Sequence, residues 1–277
     1  VGGTDLTADD DALYVLTAVL MTPARFPSVL GDDYPAACDA LGLEPYDQGY
    51  GLVLGQDGEG ARWTVIVDDV SLVAVAIASW DCGMEYDLSP DERSVVAALP
   101  GWPLAVATAA PGLPAPHDPE PEEGDRAPLA PPSADAWGPA QRRLGADEVA
   151  LQWAAWRAQM DEDASGDAGA EGDPAPGGAA DSAERPRDPY DGVRRALDEL
   201  RGYLKDAPPV GRVRSSFAAG DARMLRADGP GWSLVARTDD MAFVLLDDEP
   251  REVLPVARGP RLPALLEALD AMAVRPS

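Results

Sequence analysis

The sequence predicts an α+β fold: two small antiparallel sheets, or one shared sheet, flanked by helices and joined by disordered linkers. Three observations predict it. Short apolar runs rich in β-branched residues are separated by turn residues. Other stretches repeat apolar residues at helical spacing. Two Pro-, Ala-, Gly- and acid-rich segments hold too few large apolar side chains to offset the entropy of ordering. The expected organisation is an α+β part over 1–110, a linker over 111–136, an amphipathic helix over 137–161, a second linker over 162–187 and another α+β part over 188–277.

Taken in chain order, Thr7 followed by Ala8-Asp9-Asp10-Asp11 reads as a capped helix start, with acids where the helix dipole favours them. Leu13, Leu16, Val19 and Leu20 supply its stripe, and Pro23 and Pro27 end it. Tyr34–Leu41 reads as a short helix stopped by Gly42. Gly51–Leu54 and Trp63–Val67 read as strands around a Gln56–Gly60 turn. Ser71–Trp80, apolar at nearly every position, reads as a central strand covered on both faces. Ser89-Pro90-Asp91-Glu92 has the pattern of a capping box opening a helix through Val95, Val96 and Leu99. Trp102–Ala107 reads as a last strand of this part.

The second part opens at Asp188-Pro189 with a helix striped by Val193, Leu197, Leu200 and Leu204, and Pro208-Pro209 stops it. Five strand candidates follow, at Arg212–Ser216, Ala222–Arg226, Trp232–Arg237, Met241–Leu246 and Val253–Ala257. A helix over Pro260–Ala273 carries Leu262, Leu265, Leu266 and Leu269. The two parts share a pattern. Gln56-Asp57-Gly58-Glu59-Gly60 leads to Trp63 and then Asp68-Asp69; Ala227-Asp228-Gly229-Pro230-Gly231 leads to Trp232 and then Asp239-Asp240. Either the module is duplicated, or hairpins reuse the same turn chemistry.

Composition bounds the function. The chain has 277 residues and a net charge of −27, from 49 acidic and 22 basic side chains. Such a chain repels phosphate backbones and anionic membrane surfaces, so neither nucleic acid nor membrane is an expected partner. A protein partner of basic character, or plain solubility, fits the charge. Lys205 is the single lysine and asparagine is absent, a bias that points to a GC-rich bacterial genome, with Val1 read as a GTG start. The acidic opening lacks the basic region of a secretory leader. The longest apolar run, Val70–Trp80, is too short to span a bilayer. A cytoplasmic protein is expected. Cys38 and Cys82 belong to no C-x-x-C pair and are expected to be buried, reduced thiols.

The chemistry-bearing residues are few. His117 is the one histidine and sits in Pro114-Ala115-Pro116-His117-Asp118-Pro119, a linker composition that gives no means of fixing an imidazole beside a nucleophile or a metal. The Gly55–Gly60 stretch carries two acids and precedes a strand, unlike a phosphate cradle. Asp68-Asp69, Asp239-Asp240 and Asp247-Asp248 could in principle hold Mg²⁺ or Ca²⁺ or act as acid and base, but each sits where a solvated turn is expected. Intrahelical pairing of Asp191 with Arg195 accounts for one of the two basic pairs, Arg194-Arg195. No catalytic residue, cofactor or metal ligand is assigned.

The remaining feature is the helix between the linkers. Val149, Trp153, Trp156 and Met160 fall on one face, and aromatic anchors at that spacing suit a groove on the chain's own sheet or on a partner. These four are the candidate partner-binding residues. The expected function is a non-enzymatic acidic interaction module, of the adaptor, regulator, chaperone or immunity type. A carboxylate- or divalent-metal-dependent enzyme and a small-molecule-binding protein are the alternatives.

Overall fold

In a computed structural model, residues 12–121, 124, 126–166 and 189–275 are described, the side chains of 163–166 and 189 excepted. The fold is α+β, with two separate antiparallel sheets, of four and five strands. The described residues fall into two compact units, one within Val1–Ala136 with Pro209–Gly211, the other within Trp137–Pro208 and Arg212–Arg275.

The first unit is built on β1 (Tyr14–Met21), α1 (Tyr34–Leu41), β2 (Tyr50–Gln56), β3 (Arg62–Val67), α2 (Val70–Asp81) and β4 (Val95–Pro100). Its strands pair in chain order, β1-β2-β3-β4. Three elements differ from the sequence reading. Tyr14–Met21 is a strand, not the C-terminal part of a helix; residues 1–11, where that helix was to start, lie outside the described residues. The reason is a bulge between Val15 and Thr17. It breaks the two-residue alternation, so Leu16 and Val19 share one face while Leu13, Val15, Ala18 and Leu20 share the other. A three-residue interval on one face of a bulged strand imitates a helical stripe.

Val70–Asp81 is a helix, not a central strand. Its twelve residues exceed an ordinary strand, and Ala74, Ala76 and Ala78 favour helix. Asp69 caps it, its carboxylate accepting from the Leu72 N–H at 2.9 Å. Val95–Pro100 is a strand, not a helix. Ser89 donates its hydroxyl to Asp87 at 2.7 Å instead of capping, and Asp91–Ser94 closes as a turn, with Ser94 N–H on the Asp91 carbonyl at 2.9 Å. The β-branched pair Val95-Val96 then enters the sheet beside Val67 and Ile66. Trp102–Ala107 forms no strand; Trp102 is fully buried and its indole N–H donates to the Gly55 carbonyl at 3.1 Å. The α1 reading holds: Asp33 caps its start and Gly42 ends it at φ 72°.

Residues 111–136 form no helix or strand among those described, but they are tied to the first unit. The buried Gln56 amide donates to the carbonyls of Gly60 and Pro114 and accepts from the Ala110 N–H. Arg62 pairs with Asp118. Arg126 donates to the carbonyls of Ala40 and Leu41, at the C-terminal end of α1. Leu129 N–H donates to the Pro100 carbonyl at 2.7 Å and pairs with Gly101.

The second unit holds α3 (Pro139–Leu151), α4 (Trp153–Gly166), α5 (Pro189–Tyr203), β5 (Val213–Phe217), β6 (Arg223–Gly229), β7 (Trp232–Arg237), β8 (Ala242–Leu246), β9 (Leu254–Val256) and α6 (Leu262–Met272). The strands form a meander, β5-β6-β7-β8-β9. Val213, Leu225, Ala227, Trp232, Leu234, Ala236, Val244 and Leu246 turn to one face and meet the stripes of α5 and α6. Val235, Phe243 and Leu245 turn to the other, against α3 and α4. The shared sequence pattern corresponds to one shared hairpin, β2–β3 and β6–β7. The likeness ends at the Asp-Asp pair, which leads into helix α2 in the first unit and strand β8 in the second.

Gly101 tests the tie to the linker. It lies at φ 81°, and an added Cβ would come within 2.3 Å of the Leu129 carbonyl oxygen. Gly101→Ala is expected to cost roughly 2–3 kcal/mol in urea unfolding and to speed limited proteolysis within 111–136.

Candidate functional site

All four residues expected to bind a partner lie against the chain's own second sheet. Val149 and Trp153 are buried, and Trp156 and Met160 are half-buried on the same cluster. Trp153 meets Phe243 edge-on, with centroids 5.2 Å apart, and its indole N–H reaches Asp240 at 3.4 Å. The helix expected over 137–161 is two helices, with Gln152 as the C-cap of α3. The polar contacts around it draw in two of the carboxylate pairs: Arg157 bonds Asp240 at 3.3 Å, and Arg142, fully buried, bonds Asp247 at 3.3 Å. Asp248 pairs with Arg195, while Asp191 pairs with Arg194 in place of the expected Arg195.

Between α3 and the strands lies a buried charge network that no sequence motif announced. Arg214 and Arg226 are cross-strand partners, and both face Asp228, which is fully buried. Asp228 also accepts from the Ser233 hydroxyl at 2.6 Å, and Arg226 reaches Asp147 on α3. Burial alone raises the Asp228 pKa; the charges of Arg226 and Arg214, with the hydrogen bonds from Ser233 and Arg214, outweigh that and hold it below the ordinary carboxylate range. The network joins α3 to the sheet, which makes it a structural element.

The other chemistry-bearing residues do not converge. Asp68 and Asp69 belong to the first unit, Asp239 and Asp240 to the second. Asp69 is engaged as the α2 cap, and Asp239 holds Arg237 in a two-bond pair. Among the described residues, no group of three or more His, Cys, Asp or Glu is placed to hold a metal ion. His117 is fixed more firmly than its composition suggested. Its backbone bridges to Ala61, and its ring nitrogens lie 3.0 Å from the Asp118 carbonyl and 3.2 Å from that of Glu59. Those two acceptors raise its pKa. Cys38 is buried as expected, and burial pushes its thiol up; Cys82 is exposed, against expectation, because it caps the C-terminal end of α2. Among the described residues, no helix is long and apolar enough to cross a membrane.

What the structure does assemble is the edge of β1, with no further strand paired to its outer side among the described residues, in a strongly acidic unit. Residues 1–136 carry 24 acidic side chains and four basic ones. Two of those four, Arg62 and Arg126, are engaged by Asp118 and the end of α1. Along β1 runs a cleft of about 830 Å³. It is lined by Leu13–Ala18, by Ile77 and Trp80 of α2, by Tyr86 and Leu88, and by Ala110 and Pro111. Its charged lining residues are Asp81 and Asp87, with no lysine or arginine among them. Sequence reasoning missed this site because it read β1 as a helix and took the charge as a single total. Counting charge separately for each part would have shown where the acids gather.

The chain matches no known protein family, no curated protein and no solved structure.

Two substitutions probe the second unit. Trp153→Ala is expected to lower stability by about 3–5 kcal/mol, and Trp156→Ala by less than about 2 kcal/mol, in urea unfolding. Asp228→Asn leaves two guanidinium groups facing a neutral amide and is expected to cost about 3–5 kcal/mol. Because the folded pKa of Asp228 is depressed, its contribution is complete above the unfolded carboxylate pKa of about 4 and drains as pH falls from there through the folded value. Asp228→Asn is therefore expected to flatten the acid side of the stability–pH curve, read by urea midpoints.

Proposed function

We propose that the chain is a non-enzymatic, acidic protein-interaction module that binds a basic segment of a protein partner through its first unit. The observation that supports this most is the uneven charge. The first 136 residues carry 24 acids against four bases, and the remainder, 25 against 18. In the second unit many arginines are engaged in pairs with nearby acids, including Arg142, Arg157, Arg195, Arg214 and Arg226. The acids of the first unit have few such internal partners to meet. A field of one sign over one unit steers an oppositely charged partner and raises its rate of encounter.

A cleft that mixes apolar and polar lining and holds two acids and no base suits a polypeptide better than a phosphate-bearing ligand, which those acids would repel. The reading gives the partner contact to the first unit. The aromatic residues of α3 and α4 serve mainly to fasten those helices to the second sheet.

The test is a quantitative pulldown with the folded full chain as bait, beside a variant in which Asp81, Asp87, Asp91 and Glu92 become Asn or Gln. The expected result is a stoichiometric basic protein, captured by the parent, released between about 0.1 M and 0.5 M salt as charges are screened, and captured poorly by the variant. Capture of no specific protein, or equal capture by parent and variant, would reject the proposal.

A further inference from the structure

We infer that β1 is a docking strand: an extended, basic segment of the partner adds to its open edge as a further strand of the first sheet. This rests on the acidic-module reading and names how the partner is held. The two sheets present four edges; two of them are closed or shortened, and a third is capped at one end. The β5 edge is met by Val274, with Ser215 N–H donating to the Val274 carbonyl and Val274 N–H to the Val213 carbonyl, both at 3.0 Å. The β9 edge is three residues long and contains Pro255. The β4 edge ends in Pro100, whose carbonyl is taken by Leu129. β1 has eight residues, and among the described residues no strand pairs with its outer side. It contains no charge and no proline, two of the devices that keep an edge from pairing; the bulge between Val15 and Thr17 is a third, and it leaves the regular run Thr17–Met21 as the pairing edge.

The backbone direction along β1 can be assigned. Thr22 exchanges hydrogen bonds with Arg25, its N–H donating at 2.7 Å and its carbonyl accepting at 3.1 Å, so neither group is given to β2. Backbone groups alternate sides along a strand, so Ala18 and Leu20 turn theirs the same way. These are the donors and acceptors an added strand would use.

The occupant is argued from charge. The cleft continues this edge past the bulge, and its charged lining is acidic alone. A second copy of the chain would bring a net charge of −27 against the same charge, over a β1 that has no base to offset it. An extended segment alternating basic with β-branched residues meets both demands. Its backbone pairs with β1, and its cations face Asp81 and Asp87.

The probe is a labelled peptide of about nine residues alternating lysine with valine and threonine, long enough to lie along β1 at roughly 3.3 Å per residue. Binding to the full chain is read by fluorescence anisotropy. One comparison peptide is N-methylated at alternate residues along one edge; another has glutamate for lysine. The protein variant is Leu20→Pro, which removes an outward N–H and leaves the β2 pairing donors in place. One-to-one binding is expected, weakened at least about ten-fold by N-methylation, by glutamate and by Leu20→Pro, since several backbone hydrogen bonds are lost together. Should Leu20→Pro fail to fold, the N-methyl comparison on the parent chain decides alone.

Equal binding of the N-methylated peptide would overturn strand addition while leaving the acidic-module reading intact. Equal binding of the glutamate peptide would overturn the basic partner while leaving the edge. A concentration-dependent dimer abolished by Leu20→Pro would make a second copy the occupant, and binding only after removal of residues 1–11 would make it the chain's own opening segment. Either result would overturn the proposal.

Discussion

The first unit depends on β2. All seven of its residues are buried, paired on one edge by β1 and on the other by β3, with side chains packed on both faces. A strand so enclosed leaves no space for error at its glycines. An added Cβ at Gly51 would come within 2.3 Å of Val73 on α2, and one at Gly55 within 2.7 Å of the Tyr14 carbonyl. The close approach of helix and edge strand to β2 therefore requires glycine at both places. The line of β1 and the placing of Ile77 and Trp80 along the cleft depend on that contact.

The second unit solves a different problem. Its sheet is covered on both faces, one by an apolar layer under α5 and α6, the other by a layer that is apolar under Trp153 and charged near Asp228. A buried carboxylate facing two guanidinium groups is weak evidence of stability, because desolvation opposes attraction. It does fix geometry, since any slip of Arg214 or Arg226 along the ladder leaves a charge without its counterpart. That arginines are gathered inward in this unit, while the first has few, is how a chain of one overall sign acquires two unlike halves.

Much of the fold was legible in the sequence, and the failures have physical causes. α1 was legible because Gly42 marks its end; Asp33 and Pro35 mark its start in the structure. The five-strand meander and α6 were legible because β-branched and aromatic runs alternate there with turn residues. Val70–Asp81 was not, since an all-apolar run has no period to read, and its capping aspartate looks like a turn acid. Val95–Pro100 was not, because Ser89-Pro90-Asp91-Glu92 satisfies the local rule for a helix start and the sheet overrides it. β1 was hidden by its own bulge, and the cleft with it. The aromatic residues of α3 and α4 were found, and their packing on Phe243 became visible only with β7 and β8 in place. Composition flagged His117 as unheld because it cannot register pairing between a coil and the end of a strand, here the start of β3.

Cys82 gives the first unit a practical asymmetry. One thiol is enclosed by α1 and the sheet; the other stands exposed at the last turn of α2, next in sequence to Asp81 of the cleft. A thiol-selective dye would thus attach at one position in the unmodified chain and lie beside the groove. Its emission would report occupancy of the groove by the proposed segment, with no substitution made in the chain.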